Sequence, residues 1–258
     1  MIAMAVSACG RIGFDPQLTP AMSPIATAVV VDGDYACALA SGAVACWGQN
    51  EVGELGNGAT AAFGGLSLPP ELSAGVTMIS GSPSSGHYDH TCAVVDGAAL
   101  CWGGNLSGEL GDGTTTNRSS AAIAVSGQTG PTSNVTSCAF GNPCNTLPVA
   151  MPGLASGVQA VIAGYAASCA VRADGSATCW GWDTFGQLGD GGGMDKPDPE
   201  EVATFTSGVT SIDIGYESGC GVRDGAIYCW GDNFYGTVRG GDTAAGDSLT
   251  PILVRPWP

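Results

Sequence analysis

Four times along this chain a cysteine is followed, after a short gap, by Cys-Trp-Gly. The copies are Cys37 with Cys46-Trp47-Gly48, Cys92 with Cys101-Trp102-Gly103, Cys169 with Cys179-Trp180-Gly181, and Cys220 with Cys229-Trp230-Gly231. A unit that recurs in this way constrains the whole fold, because each copy is one supersecondary element that stacks on its neighbours. The middle of each gap identifies the element. Ser41-Gly42, Asp96-Gly97 and Asp224-Gly225 are two-residue hairpin turns, built from residues that tolerate positive φ. In the third copy the gap is one residue longer, and Ala173-Asp174-Gly175 reads as a three-residue turn.

Counting outward from Ser41-Gly42, Ala40 pairs with Ala43, Leu39 with Val44, Ala38 with Ala45 and Cys37 with Cys46. Hydrogen-bonded and non-hydrogen-bonded pairs alternate, so the cysteines occupy a non-hydrogen-bonded pair with Cα atoms about 4.5 Å apart, within disulfide reach. The same register sets Val94 opposite Ala99 and Val222 opposite Ile227. Four intra-hairpin disulfides are therefore expected, each contributing somewhat under ~3 kcal/mol by loop closure. A structural zinc site would want cysteines two to four residues apart, often with histidine, and the hairpin spacing does not supply that.

The unit extends beyond the hairpin. An apolar strand precedes it, as in Val76-x-x-Ile79, Val158-x-x-Val161-Ile162 and Val209-x-x-Ile212-x-Ile214. A glycine turn follows it: Gly53-Glu54-Leu55-Gly56, Gly108-Glu109-Leu110-Gly111 and Gly186-Gln187-Leu188-Gly189, with Gly236-Thr237-Val238-Arg239-Gly240 as a departure. Trp47-Gly48-Gln49-Asn50 and Trp102-Gly103-Gly104-Asn105 complete the pattern; Trp180-Gly181-Trp182-Asp183 and Trp230-Gly231-Asp232-Asn233 match it with small shifts. These motifs resemble the regulator of chromosome condensation (RCC1) repeat, over roughly residues 26–241. The resemblance implies an all-β fold: a β-propeller of four blades, as a closed or partial ring. The paired cysteines look like a bacterial secreted variant of the unit. Trp47, Trp102, Trp180 and Trp230, one per blade, are expected to pack between blades.

Of the 11 cysteines, eight belong to the hairpins, Cys138 and Cys144 form a further close pair, and Cys9 is left over. Val6-Ser7-Ala8-Cys9-Gly10 resembles the lipobox of bacterial lipoproteins, which implies lipidation of Cys9; an odd cysteine otherwise signals a free thiol or an intermolecular bond. The expected organisation is a signal and tether over 1–15, one propeller over 16–258, and an insertion at about 114–146 that carries the Cys138–Cys144 bridge. The Pro251-Ile252-Leu253-Val254 segment reads as the first strand of a further unit, whose simplest use is to pair with the N-terminal blade and close the ring. Disulfides and lipobox together imply an extracytoplasmic place, at the bacterial outer membrane or cell surface or secreted.

With Lys+Arg 7 against Asp+Glu 23 and a net charge of −16, the surface repels phosphate backbones, so no nucleic-acid partner is expected. Anionic membrane is an equally poor partner except through a lipid anchor. No nucleophile elbow, phosphate loop or zinc-protease motif occurs, and no catalytic residue, metal site or cofactor is expected. His87 and His90 lack a third ligand at zinc spacing. Asn57, Asp112 and Asp190 recur in the glycine turns, each with too few oxygens for calcium, and read as turn bonds. Trp182 and Trp257 fall outside the Trp register and are candidates for surface contacts. The function these residues imply is a non-catalytic binding or scaffold module whose loops, chiefly the insertion, contact a protein or glycan. The alternatives are a polysaccharide-active enzyme, a structural envelope protein, or nucleotide exchange on a small GTPase as the eukaryotic family implies.

Overall fold

A computed structural model describes residues 26–31, 34–83, 89–115, 117–118, 135–137, 143–145, 151 and 153–254. The chain folds into successive sheets that are antiparallel throughout except for one parallel strand pair in the second. The first holds β1 (Ala26–Val31), β2 (Tyr35–Ala40), β3 (Ala43–Asn50) and β4 (Ala61–Ser67) in that order. The second starts with β5 (Val76–Gly81), β6 (His90–Val95) and β7 (Ala98–Gly103). It continues through β8 (Asn117–Arg118), β10 (Pro143–Asn145) and β9 (Val135–Ser137), in the order β5-β6-β7-β8-β10-β9, with β8 parallel to β10. The third holds β11 (Val158–Ala163), β12 (Ala167–Arg172), β13 (Ala177–Gly181) and β14 (Lys196–Glu201). The fourth holds β15 (Val209–Ile214), β16 (Ser218–Arg223), β17 (Ala226–Gly231) and β18 (Ser248–Leu253).

Turn chemistry fixes the central hairpin of every sheet. Ser41, Asp96 and Asp224 have φ of 52°, 49° and 51°, and the glycine after each is also positive, the geometry of a type I′ turn. With two-residue turns only one register is open: Cys37 faces Cys46, Cys92 faces Cys101, Cys220 faces Cys229, and across the longer third turn Cys169 faces Cys179. All four pairs are disulfide-bonded, with Cα atoms 4.1 Å apart. Cys9 and Cys138 lie outside the described residues, and of Cys144 only the backbone, in β10, is described.

Each sheet is incomplete alone, and the core is made of seams. One cluster joins Leu39, Val44, Cys37 and Cys46 of the first sheet to Ile79 and Trp102 of the second. The next joins Cys92 and Cys101 to Val161 and Trp180, and the third joins Cys169 and Cys179 to Ile212 and Trp230. Each disulfide in the first three sheets thus faces the following sheet. Backbone bonds stitch the same seams: Val76, Val158 and Val209 N–H groups donate to the carbonyls of Gly42, Gly97 and Gly175 at the preceding hairpin tip (3.0, 2.8 and 2.9 Å).

One expectation is corrected here. The C-terminal strand β18 pairs with β17 and completes the fourth sheet rather than opening another unit beside the first. The reason is positional: β4, β14 and β18 all return after the glycine turn to cover the outer edge of their own hairpin. The insertion also contributes strand rather than loop alone, since β8, β10 and β9 extend the second sheet.

Candidate functional site

The residue after each Trp-Gly pair is held at one end of its sheet by the same bond. The N–H groups of Gln49, Gly104, Trp182 and Asp232 donate to the carbonyls of Asp34, Asp89, Ala166 and Glu217 (2.9, 2.7, 2.8 and 2.9 Å). The next residue anchors the turn that follows. Asn50, Asn105, Asp183 and Asn233 are buried, and the Oδ1 of each accepts from the N–H of Leu55, Leu110, Leu188 or Val238 (3.0, 2.9, 2.9 and 3.1 Å). The third and fourth motifs are therefore in full register with the first two, without the shifts the sequence suggested.

This scaffold presents different side chains in different repeats. In the third sheet it exposes Trp182 and Phe185 in part, with ring centroids 5.4 Å apart, edge to face. The β11–β12 and β15–β16 loops add Tyr165 and Tyr216, which meet edge to face at 4.5 Å. Tyr216 also packs on Trp182 at 5.3 Å, so four rings form a continuous ledge across the seam of the third and fourth sheets. In the fourth sheet the loop equivalent to 184–185 carries Phe234 and Tyr235, 73 % and 79 % exposed and 4.8 Å apart. Glu217 follows Tyr216, and Asp232 is bonded to it through the backbone. No lysine or arginine lies in 164–166, 182–187, 215–217 or 232–236. Such a ledge can stack on sugar rings or on planar and aliphatic side chains, with tyrosine hydroxyls and carboxylates supplying orientation.

The Trp register is occupied unevenly. Trp102, Trp180 and Trp230 are fully buried in the seams, and their Nε1 atoms donate to the backbone carbonyls of Glu54, Glu109 and Gln187 (2.8, 2.6 and 2.7 Å). Trp47 departs from the expected packing: it is 37 % exposed, because no described sheet precedes the first. Trp257 and His87 lie outside the described residues.

Among the described residues, Glu109, Glu54 and Asp183 have carboxyls shifted upward, and none faces solvent. Burial pushes Glu109 up to about 8, Glu54 to about 7 and Asp183 to about 6. Glu54 Oε2 and Glu109 Oε2 accept from Val52 N–H and Ser107 N–H (3.1 and 2.8 Å), and Gln187 Oε1 takes the same bond from Phe185 N–H (2.9 Å). These groups hold turns and offer no surface to a substrate. His90 is likewise enclosed: its Nε2 lies 2.8 Å from Ser168 Oγ, which donates to the Glu109 carbonyl (2.8 Å) across the second seam. Asn57, Asp112 and Asp190 each accept, through Oδ1, from an N–H two residues on (3.0, 2.9 and 2.6 Å). Among the described residues no three His, Cys, Asp or Glu side chains gather as a metal site.

Sequence reasoning singled out Trp182 but missed Tyr165, Phe185 and Tyr216. The available signal was the repeat alignment itself: a tyrosine stands two residues before the hairpin strand in the second, third and fourth copies (Tyr88, Tyr165 and Tyr216), and an aromatic follows the third and fourth Trp-Gly motifs at Phe185 and Tyr235.

Comparison with known proteins gives a consistent picture. A sequence profile described as "Regulator of chromosome condensation (RCC1) repeat" matches residues 158–187, from the start of β11 into the third glycine turn. The Ultraviolet-B receptor UVR8 of Arabidopsis thaliana is 27 % identical over 258 residues, covering 95 % of this chain and 51 % of the receptor. Among solved structures, human WBSCR16 superposes with a TM-score of 0.63 at 18 % identity, covering 92 % of this chain and 54 % of that one. Yeast RCC1 (Prp20), solved bound to Kap60, superposes at 0.62 and 18 % identity, covering 90 % and 49 %. Prp20p from Saccharomyces cerevisiae, described with its binding properties to Gsp1p and histones, superposes at 0.60 and 18 % identity, covering 93 % and 52 %. The chain spans about half the length of these relatives. At these identities the structures speak to fold, and the stacked sheets are those of a β-propeller.

Proposed function

We infer that this chain, built from repeats of the regulator of chromosome condensation family, is a non-catalytic binding module that works outside the cytoplasm and engages a protein partner through the ledge on its third and fourth repeats. The observation that carries this reading is the set of rings Tyr165, Trp182, Phe185 and Tyr216, held on loops whose anchors the repeat fixes. Loops on a rigid frame are where binding residues concentrate, and clustered aromatics are the commonest anchors of protein interfaces. Relatives of this fold are described in complexes or with binding properties toward proteins, which agrees with a protein ligand. A glycan is the second reading, since the same rings stack on sugars.

Location is part of the proposal. Four disulfides favour an oxidising compartment, and the Val6-Ser7-Ala8-Cys9 context favours a lipid-anchored envelope protein. The insertion at about 114–146, singled out in the sequence, is a further contact candidate.

The test compares the native protein with a Trp182→Ala/Tyr216→Ala variant, both immobilised. Each is exposed to an envelope extract with cross-linking and mass spectrometry, and separately to a panel of soluble oligosaccharides followed by tryptophan emission. A partner retained by the native chain and lost by the folded variant supports the reading. Equal recovery on both would sink it, and a response to oligosaccharides alone would transfer it to the glycan.

A further inference from the structure

Three seams in this protein are closed in the same way, and the outer face of the first sheet carries the closing half without a counterpart among the described residues. In each seam the indole of the later sheet lies against a glycine of the earlier turn. Gly56, Gly111 and Gly189 have φ of +64°, +66° and +71°, and a Cβ at these positions would stand 2.7, 2.7 and 2.8 Å from the rings of Trp102, Trp180 and Trp230. The carbonyl two residues before that glycine accepts from the indole N–H. Trp47 occupies the same position in the first sheet, yet it is exposed and makes no such bond among the described residues. Val29 aligns by register with Ile79, Val161 and Ile212; it is 61 % exposed where they are 6 %, 0 % and 5 %. Val31 beside it is exposed as well.

We propose that this face, made of Trp47, Val29 and Val31, is a docking surface for a further sheet of the same repeat type. The partner presents a Gly-x-Leu-Gly turn whose left-handed glycine lies flat on Trp47 and whose carbonyl accepts from Trp47 Nε1. The requirement is narrow, because any side chain at that glycine meets the ring. Three internal copies of the interface serve as its template.

The chain's own fourth sheet does not meet this requirement. Its outer face is mixed: Ile227 is exposed where its counterpart Val44 is buried, and the exposed Ser211 and Asp213 lie on the same face, paired with Val222 and Cys220. Its turn is one residue longer. Arg239 stands where Gly56, Gly111 and Gly189 stand, and the positive φ moves on to Gly240 (+62°). Arg239 is therefore a stop. It prevents a second copy from adding head to tail through Trp47, an association that would run on as a filament wherever the rotation failed to close.

Deleting Arg239 restores Gly-Thr-Val-Gly and makes the chain supply its own occupant. Thr237, Arg239 and Gly240 are exposed, so the change leaves the three seams untouched. Trp47 is read as the difference in emission and acrylamide quenching between each chain and its Trp47→Phe version. The expected result is a blue shift and loss of quenching for Trp47 in the deletion variant alone, with light scattering reporting whether the turn comes from the same or a second copy. Arg239→Gly, which keeps the length, serves if circular dichroism shows the deletion variant unfolded. No protection of Trp47 in either folded variant overturns the proposal. Protection of Trp47 in the parent chain at the same concentration overturns it equally, since Arg239 would then stop nothing.

Discussion

Glu109 gives the sharpest quantitative test of how the seams are built. Its carboxyl is fully buried, one oxygen accepts from Ser107 N–H, and the other has no partner among the described residues. Its backbone carbonyl meanwhile receives both Trp180 Nε1 and Ser168 Oγ. Burial pushes the carboxyl from 4.5 up to about 8. The folded protein therefore keeps this proton over a range in which the unfolded chain loses it. Stability from this group is full below the ordinary glutamate value, and it falls as pH rises toward the folded value. Each tenfold difference in proton affinity between the folded and unfolded chain is worth about 1.36 kcal/mol, so between about pH 5 and pH 8 the residue should remove about 3 kcal/mol of stability.

The repeat supplies the control. At the equivalent position the third copy carries Gln187, whose Oε1 accepts from Phe185 N–H as Glu109 accepts from Ser107. Glu109→Gln should therefore fit the turn and remove the titration. The assay is equilibrium denaturation of both chains, disulfides intact, at about pH 5 and about pH 8. The variant should match the parent within about 1 kcal/mol at the lower pH and exceed it by about 3 kcal/mol at the higher. Parallel pH dependences, or a parent that gains stability as pH rises relative to the variant, would show that the carboxyl is ionised in the folded protein.

Two further outcomes follow from the same geometry. Trp102→Ala empties a seam and leaves the Glu54 carbonyl short of a donor, so it should cost about 3–5 kcal/mol, whereas Trp47→Ala should cost less than about 1 kcal/mol; thermal melts of the two oxidised variants compare them directly. Asp183→Asn should stabilise the fold by about 1–2 kcal/mol at neutral pH, where the native carboxyl, pushed up to about 6 by burial, must ionise with Oδ2 unpartnered; the gain should vanish below the ordinary aspartate range, as denaturation across pH would show.

The hairpins were legible because two-residue turns and period-two alternation leave one register open, and that register sets cysteine against cysteine. The fold family was legible because the Trp-Gly and glycine-turn motifs recur in order. The C-terminal strand was misplaced for a physical reason. A short Pro-containing strand looks the same whether it opens a sheet or closes one, and only its pairing with Cys229 and Tyr228 decides. The buried acids were opaque for another. Glu54 and Glu109 sit in glycine-rich turns, and the sequence alone does not show that the next sheet lays Trp102 and Trp180 over them. The Glu-Glu-Gln series in that column was the one sequence hint that the position takes a neutral side chain. The ledge was the least legible, because Tyr165, Trp182 and Tyr216 come from three separate loops and meet only through the stacking of sheets.

Position by position, the repeat separates stacking from recognition. Residues that recur in all four copies are consumed by the frame: the cysteines staple the hairpin, Asn50 and its counterparts tie the turn, and three of the four tryptophans close seams. A side chain that differs between copies and stays exposed is not needed by that frame. Phe234 and Tyr235 sit at positions where the first copy has Glu51 and Val52, so the fourth turn would close without two bare rings. Exposing them carries a solubility penalty that a chain of net charge −16 can offset. On this logic the side chains free to serve recognition are those at which the copies disagree, as over the third and fourth repeats where the proposed ledge stands.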